Sequence, residues 1–178
     1  MNATMHIPVL QTERLTLRGP EAGDFPVYRD FYADPEASAY YGGPLSPALA
    51  WRRLALDIGH WALRGFGTWA VVEQASGAMV GGCGLVWPEG WPRHELTWWI
   101  VPAARRRGYA REASRAVIGW AYDQGGFTQV ETHMKDDNEA ARRLAEALGG
   151  VVIVRERFPD GIARNVYALP RRTGEADG

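Results

Sequence analysis

The sequence predicts a mixed α/β chain, and three features carry that prediction. Runs that alternate apolar and polar residues interleave with segments whose apolar residues recur at helical spacing. His94 to Met134 reads strand–helix–strand, a unit closed by a right-handed crossover when its strands are parallel neighbours. Elsewhere the strand-like runs are separated by short turns, which favour antiparallel pairing. The expected architecture is a mixed, mostly antiparallel sheet with helices on both faces.

Taken in order, residues 1–11 read as a weakly structured lead-in, and Arg14–Arg18 places Leu15 and Leu17 on one face of a first strand. Asp24–Tyr32 and Pro47–Leu63 read as helices joined through the Gly/Pro loop Tyr40–Pro44; Ser46 is the expected cap of the second. Thr68–Glu73 and Met79–Trp87 form a hairpin around Ser76-Gly77. Gly81, Gly82 and Gly84 inside its second strand predict a bulge or a close backbone approach.

Pro88–Pro92 is a turn. His94–Val101 is a strand whose Trp98 and Trp99 take opposite faces, one toward the core and one toward a cleft. A helix starts at about Arg107 or Gly108 and carries Ala110, Ala113, Val117, Trp120 and Ala121 inward. It ends at Gly125-Gly126. Gln129–Met134 is a strand, and Asn138–Leu148 a helix capped by Asp136 or Asp137 and stopped by Gly149-Gly150. Val151–Arg157 and Arg164–Leu169 pair across Pro159-Asp160-Gly161. The polar tail from Arg171 is expected to fray. With no repeat and no linker, residues 1–178 read as one domain with its core at about 12–169.

Composition excludes several classes. A formal net charge of −1 leaves no positive excess for general nucleic-acid binding. Cys83 is the single cysteine, so an internal disulfide and a thiolate metal site are ruled out, and His6, His60, His94 and His133 lack ligand spacing. No metal is therefore expected. No apolar run approaches the ~18–20 residues of a membrane span, and no signal peptide opens the chain, which reads as cytoplasmic.

Arg105, Arg106, Arg107 and Arg111 crowd a helix N-terminus, where the helix dipole disfavours each cation by ~0.3–1 kcal/mol. That placement makes sense if a polyanion sits there on unpaired backbone N–H groups, with Gly108 permitting close approach. A bare arginine triplet is more often a solvated loop; its position between a strand and a helix favours a phosphate cradle.

Arg105-x-x-Gly108-x-Ala110 resembles the Gln/Arg-x-x-Gly-x-Gly/Ala motif of the GNAT superfamily of acyl-CoA N-acyltransferases. Thr12–Arg18, Asp34-Pro35-Glu36, Gly108–Ala113 and Asn138-Glu-Ala-Ala leading to Leu148-Gly149 are similar to its RimJ/RimL-like branch, which acetylates protein N-termini and small amines. The resemblance runs from about Thr12 to Leu169. It implies acetyl-CoA as acyl donor and a sheet whose two parallel strands splay, so that the pantetheine arm enters the gap like an extra strand. Carried over, Trp99, Ile100 and Val101 offer backbone hydrogen bonds to pantetheine. Arg105, Arg106, Arg107, Gly108, Tyr109, Ala110 and Arg111 surround the pyrophosphate, and the Asn138 amide contacts the cofactor.

Acyl transfer to an amine needs the amine neutral. At pH 7 an α-amine of pKa ~8 is about a tenth neutral, and a lysine of pKa ~10.4 is neutral at well below one part in a thousand. Two residues suit the base. Glu95 opens the strand that splays, and His133 has an unperturbed pKa near neutrality. Their structural alternatives are a rim carboxylate paired with an arginine and a half-buried strand residue. Asn138 is equally an N-cap. The family places a tyrosine acid seven residues after that asparagine; here the position is Ala145. Another group or water then protonates the leaving thiolate. Tyr40, Tyr41, Trp87 and Trp91 fall in loops where an acceptor enters.

The function implied is acetyl transfer to a primary amine by direct attack in a ternary complex, with a homodimer left open. The rival is a CoA-binding regulatory or scaffold domain that kept the cradle and lost turnover.

Overall fold

The computed structural model describes residues 6–171; the expectations for residues 1–5 and for the tail beyond Arg171 lie outside them. Eight strands and four helices follow in the order β1 (Leu10–Gln11), β2 (Leu15–Arg18), α1 (Phe25–Ala33), α2 (Pro47–Arg64), β3 (Thr68–Glu73), β4 (Met79–Val86), β5 (Glu95–Ile100), α3 (Tyr109–Asp123), β6 (Val130–His133), α4 (Glu139–Ala147), β7 (Val151–Arg157) and β8 (Ala163–Leu169). The lead-in is partly structured, since Leu10 and Gln11 pair with Leu17 and Thr16.

Two antiparallel sheets form, β1-β2-β3-β4-β5 and β6-β8-β7. They meet where β5 runs beside β6 without a shared ladder. Glu131 N–H donates to His94 Nε2 at 3.1 Å, and Thr132 Oγ1 donates to the Leu96 carbonyl at 2.9 Å. Partner positions rise together along the two chains, so the strands run in the same direction. A mixed α+β architecture is thus present as expected, with the parallel pair splayed.

Alternation along β5 decides which helices each residue meets. Leu96 and Ile100 enter a core with Leu15, Leu17, Trp69, Val71 and Leu85 of the sheet and Ala113, Val117 and Trp120 of α3. Trp99 points the other way, among Tyr28, Phe31, Tyr32, Ala50 and Leu54 of α1 and α2. Trp69 makes edge-on ring contacts with Trp61 at 4.5 Å and with Trp120 at 5.0 Å, each worth ~0.5–1.5 kcal/mol beyond area burial.

The glycines of β4 are explained by crowding. A Cβ on Gly81 would lie 2.0 Å from the Trp99 carbonyl, and one on Gly84 would lie 2.1 Å from the Gly67 carbonyl. The expected bulge is present on β4 itself: between the pairs Val71–Gly81 and Val72–Met79 it carries one extra residue, Val80. Caps follow the sequence. Ser46 accepts from the Leu49 amide, and of the residues expected to cap α4 it is Asn138 that accepts, from the Ala141 amide, while Asp136 is engaged by Arg155. Cys83 is buried, and its thiol is pushed up to about 12 by that burial, which makes it unreactive. β7 is the outer strand of its sheet, and Val151, Val152, Ile153 and Val154 on it are exposed.

Candidate active site

Where β5 and β6 part, a cavity of about 490 Å³ opens, bounded by β5, β6, the loop before α2, α2 itself and the start of α4. Glu95 and His133 both line it, and the fold brings them together: Glu95 Oε2 lies 3.6 Å from His133 Nε2. Both stand at the seam because Glu95 opens β5 and His133 closes β6.

The imidazole of His133 is 5% exposed and packed between rings. Trp91 lies parallel to it (4° between planes, centroids 6.0 Å), and Phe158 approaches to 4.2 Å. Burial, reinforced by the Arg164 guanidinium, depresses its pKa to about 4. Its buried Nε2 has no hydrogen-bond partner and faces Glu95. The Glu95 carboxyl is 30% exposed, into the cavity. Desolvation lifts its pKa to about 7, against the pull of Arg164 and Arg53. At neutral pH the histidine is therefore neutral and the carboxyl is poised to gain or lose a proton. Arg164 is itself held by Asp160, whose carboxyl that contact draws down to about 2.

The start of α3 has the form of an anion cradle. Gly108 is its cap residue at φ +82° and supplies no side-chain cap, leaving the first-turn amides of Tyr109, Ala110 and Arg111 to other partners. Arg106 also adopts positive φ, +61°. A left-handed residue on either side of Arg107 turns successive backbone N–H groups into a concave nest. A Cβ on Gly108 would meet Arg14 Nη2 at 3.3 Å. The residues present thus fit a bound diphosphate.

The arginines divide between structure and cradle. Arg105 donates to the Ile100 carbonyl at 3.1 Å and reaches toward the Ala37 carbonyl, bracing the exit of β5. Arg107 pairs with Glu73 at 2.9 Å and lies 5.0 Å over the Tyr109 ring. Tyr109 is buried there and donates its hydroxyl to Glu73. Arg106 and Arg111 are exposed, with no ion pair among the described residues. Arg14, which the sequence does not mark as a site residue, joins the rim. It is fixed by Glu112 and donates to the Arg107 carbonyl at 2.8 Å.

The open edge of β5 is set by strand alternation. Carbonyls of Leu96, Trp98 and Ile100 face away from β4 and accept from Thr132, Tyr41 and Arg105 respectively. Trp99 pairs with Gly82 in the β4–β5 ladder, and Val101 spends its amide on the Val80 carbonyl. Of the expected trio Trp99, Ile100 and Val101, only Ile100 therefore turns its backbone toward the gap. Asn138 and Ala141 line the cavity, whereas Ala145 is fully buried. Tyr40, Tyr41 and Trp91 line it too; Trp87 stands outside, donating to the Trp91 carbonyl. Phe158, Arg164 and Arg53 carry no local signal in the sequence, because contacts across distant segments bring them to the site. Among the described residues no three His, Cys, Asp or Glu side chains are placed to hold a metal ion, and no helix is long and apolar enough to cross a membrane.

Residues 14–151 match the family model described as Acetyltransferase (GNAT) domain. The crystal structure of an acetyltransferase from Agrobacterium tumefaciens str. C58 superposes with a TM-score of 0.82 at 31% identity, covering 94% of this chain and 97% of that one. The protein YkkB of Bacillus subtilis (strain 168) is 28% identical over 149 residues, 79% of this chain and 83% of its own length. A RimL ribosomal L7/L12 α-N-protein acetyltransferase solved with coenzyme A shares the fold at 14% identity, with a TM-score of 0.74 over 90% of this chain and 97% of that one.

Proposed function

The chain belongs to the GNAT family of acetyltransferases, and from that premise we propose that it moves an acetyl group from acetyl-CoA to a primary amine, of a protein N-terminus or a small molecule, by direct attack in a ternary complex. The observation that carries the reading is the poised Glu95 carboxyl in a cavity bounded by the splayed strands.

Acetyl-CoA supplies the thioester. The residues that would hold it are the first-turn amides of α3 with Gly108, the exposed guanidinia of Arg106 and Arg111, the open edge of β5 at Trp98 and Ile100, and the amide of Asn138. Glu95 is the base in this reading: it takes a proton from the incoming ammonium at its carboxylate oxygen and leaves the nitrogen lone pair free. His133, neutral and immobilised between Trp91 and Phe158, faces that carboxyl with its Nε2 and is the second candidate base. Positioning supplies much of the rest, since well-oriented reactants gain ~7–11 kcal/mol. With Ala145 buried, the tyrosine acid of the family has no counterpart there. The hydroxyl placed near Asn138 is that of Tyr40, which donates to the Asp137 carbonyl at 3.1 Å.

In this reading residues 1–178 act as a single domain in the cytoplasm. A homodimer would use the open edge of β7, where four consecutive apolar residues are exposed. The testing experiment is thiol release from acetyl-CoA across a panel of amines: peptides with different N-terminal residues, polyamines, aminoglycosides and amino acids. Coenzyme A binding with no release for any amine would favour the regulatory domain instead.

A further inference from the structure

Three arginines line the cavity, and two of them are spent. Arg93 is paired with Glu131 at 3.0 Å and with Glu156, and Arg164 with Asp160. Arg53 differs. It projects from α2, is half-buried, and lies 5.8 Å over the Tyr32 ring, with no carboxylate within ion-pair distance among the described residues. Asp57, one turn along the same helix, is the nearest candidate in sequence. It is buried, accepts from the Tyr28 hydroxyl at 2.8 Å, and attracts the Arg53 guanidinium through space without an ion-pair contact.

A half-buried guanidinium with no carboxylate in direct contact keeps donors of its fork available, and a docking anion gains a charge-assisted contact there. Arginine's planar fork also matches a carboxylate in two hydrogen bonds. Glu95 lies on another wall of the same cavity, and Arg53 is close enough to bias its ionisation. The two walls thus present opposite charges. Tyr41, Trp91 and Trp99 supply aromatic surface to the same space.

We propose that the acceptor is an amine bearing its own carboxylate, of the apolar or aromatic α-amino acid class, with the carboxylate on Arg53 and the amine toward Glu95. This rests on the acetyltransferase reading above and narrows it to a substrate class.

The test uses matched acceptors with acetyl-CoA: phenylalanine against phenethylamine, and tryptophan against tryptamine, for the wild type, Arg53→Met and Arg53→Lys. The wild type is expected to favour the carboxylate member of each pair by about 30-fold or more in kcat/KM, the scale of a buried charge-assisted contact. In Arg53→Met that ratio collapses toward one, chiefly through KM, and Arg53→Lys restores part of it. Thermal stabilisation by coenzyme A is the control for folding and for the cofactor site in every variant. A wild-type ratio near one or inverted overturns the proposal, as does a ratio that Arg53→Met leaves unchanged. If coenzyme A stabilises the wild type and only amines without a carboxylate turn over, the substrate class alone is wrong. If coenzyme A does not bind at all, the parent reading falls with it.

Discussion

Glu95 and His133 face each other across the seam of two sheets, with Oε2 and Nε2 3.6 Å apart. Neither strand has a ladder bond to the other there, so the pair is held by the rings around His133 and the side-chain bonds on either side of it.

The pair sets the expected pH dependence of turnover. Activity should rise with pH through about 7, as Glu95 ionises. Glu95→Gln should lower kcat by ~10²–10⁴-fold and leave coenzyme A binding in place. His133→Gln should move the acid limb while retaining more of kcat. A wild-type limb near 4, the value to which burial depresses His133, would instead assign the base to histidine.

Stability should report the same groups with opposite signs. Glu95 is harder to ionise when folded, so its contribution is full below about 4.5 and is lost as pH rises to about 7, for a total of about 3 kcal/mol. His133 is harder to protonate when folded, so its contribution is full above about 6.5 and is lost as pH falls toward 4, again by about 3 kcal/mol. The two oppose each other between about 4.5 and 6.5. Denaturant titrations of Glu95→Gln should show stability rising with pH across that window, and those of His133→Gln should show it falling. Parallel curves would mean the two groups are not perturbed as described.

Coenzyme A at about 100 times its dissociation constant should stabilise the chain by ~2.7 kcal/mol. At roughly 2–4 °C per kcal/mol that is a melting rise of about 5–11 °C. Gly108→Asp should abolish the rise, because the position has φ +82° and the new carboxylate would enter the cradle. A shift that survives the substitution would place the diphosphate elsewhere.

Tyr40→Phe tests the leaving-group proton. Loss of about 10²-fold in kcat, at the low end of acid catalysis, with KM for acetyl-CoA unchanged, would assign it to that hydroxyl. Unchanged turnover would assign it to solvent.

Helix and strand glycines should respond oppositely. Gly59 lies inside α2 with nothing within 4 Å of a new Cβ, so Gly59→Ala should stabilise by about 0.5–1 kcal/mol. Gly84→Ala would put its methyl 2.1 Å from the Gly67 carbonyl and should cost ~1–3 kcal/mol. Melting temperatures of the two variants check both signs.

Much of the scaffold was legible in the sequence because it depends on local signals. Ser46 and Pro47 open α2, the period of Ala113, Val117 and Trp120 defines α3, and Pro159-Asp160-Gly161 turns β7 into β8. The crowded glycines of β4 were visible as an anomaly, and their cause, the backbones of Trp99 and Gly67, was not. The site was half legible. Glu95 and His133 could be named from the chain but not paired, since their contact joins strands separated by all of α3. Arg14 and Arg53 carry no local mark at all; only the folded chain sets one beside Gly108 and the other across from Glu95. The arginine triplet misled in part, because Arg105 and Arg107 brace the backbone and Glu73.

The bare outer strand has a consequence for handling the protein in solution. β7 offers unpaired backbone and four consecutive exposed apolar side chains, and the whole chain carries a net charge of only −1 with its histidines neutral. The sequence places the isoelectric point at about 6.4, so colloidal repulsion vanishes just below neutrality, where sticky strand edges associate most readily. That interval overlaps the titration of Glu95. Turnover lost on acidification therefore has two sources, a protonated base and soluble protein withdrawn into clusters, and light scattering recorded beside each rate separates them.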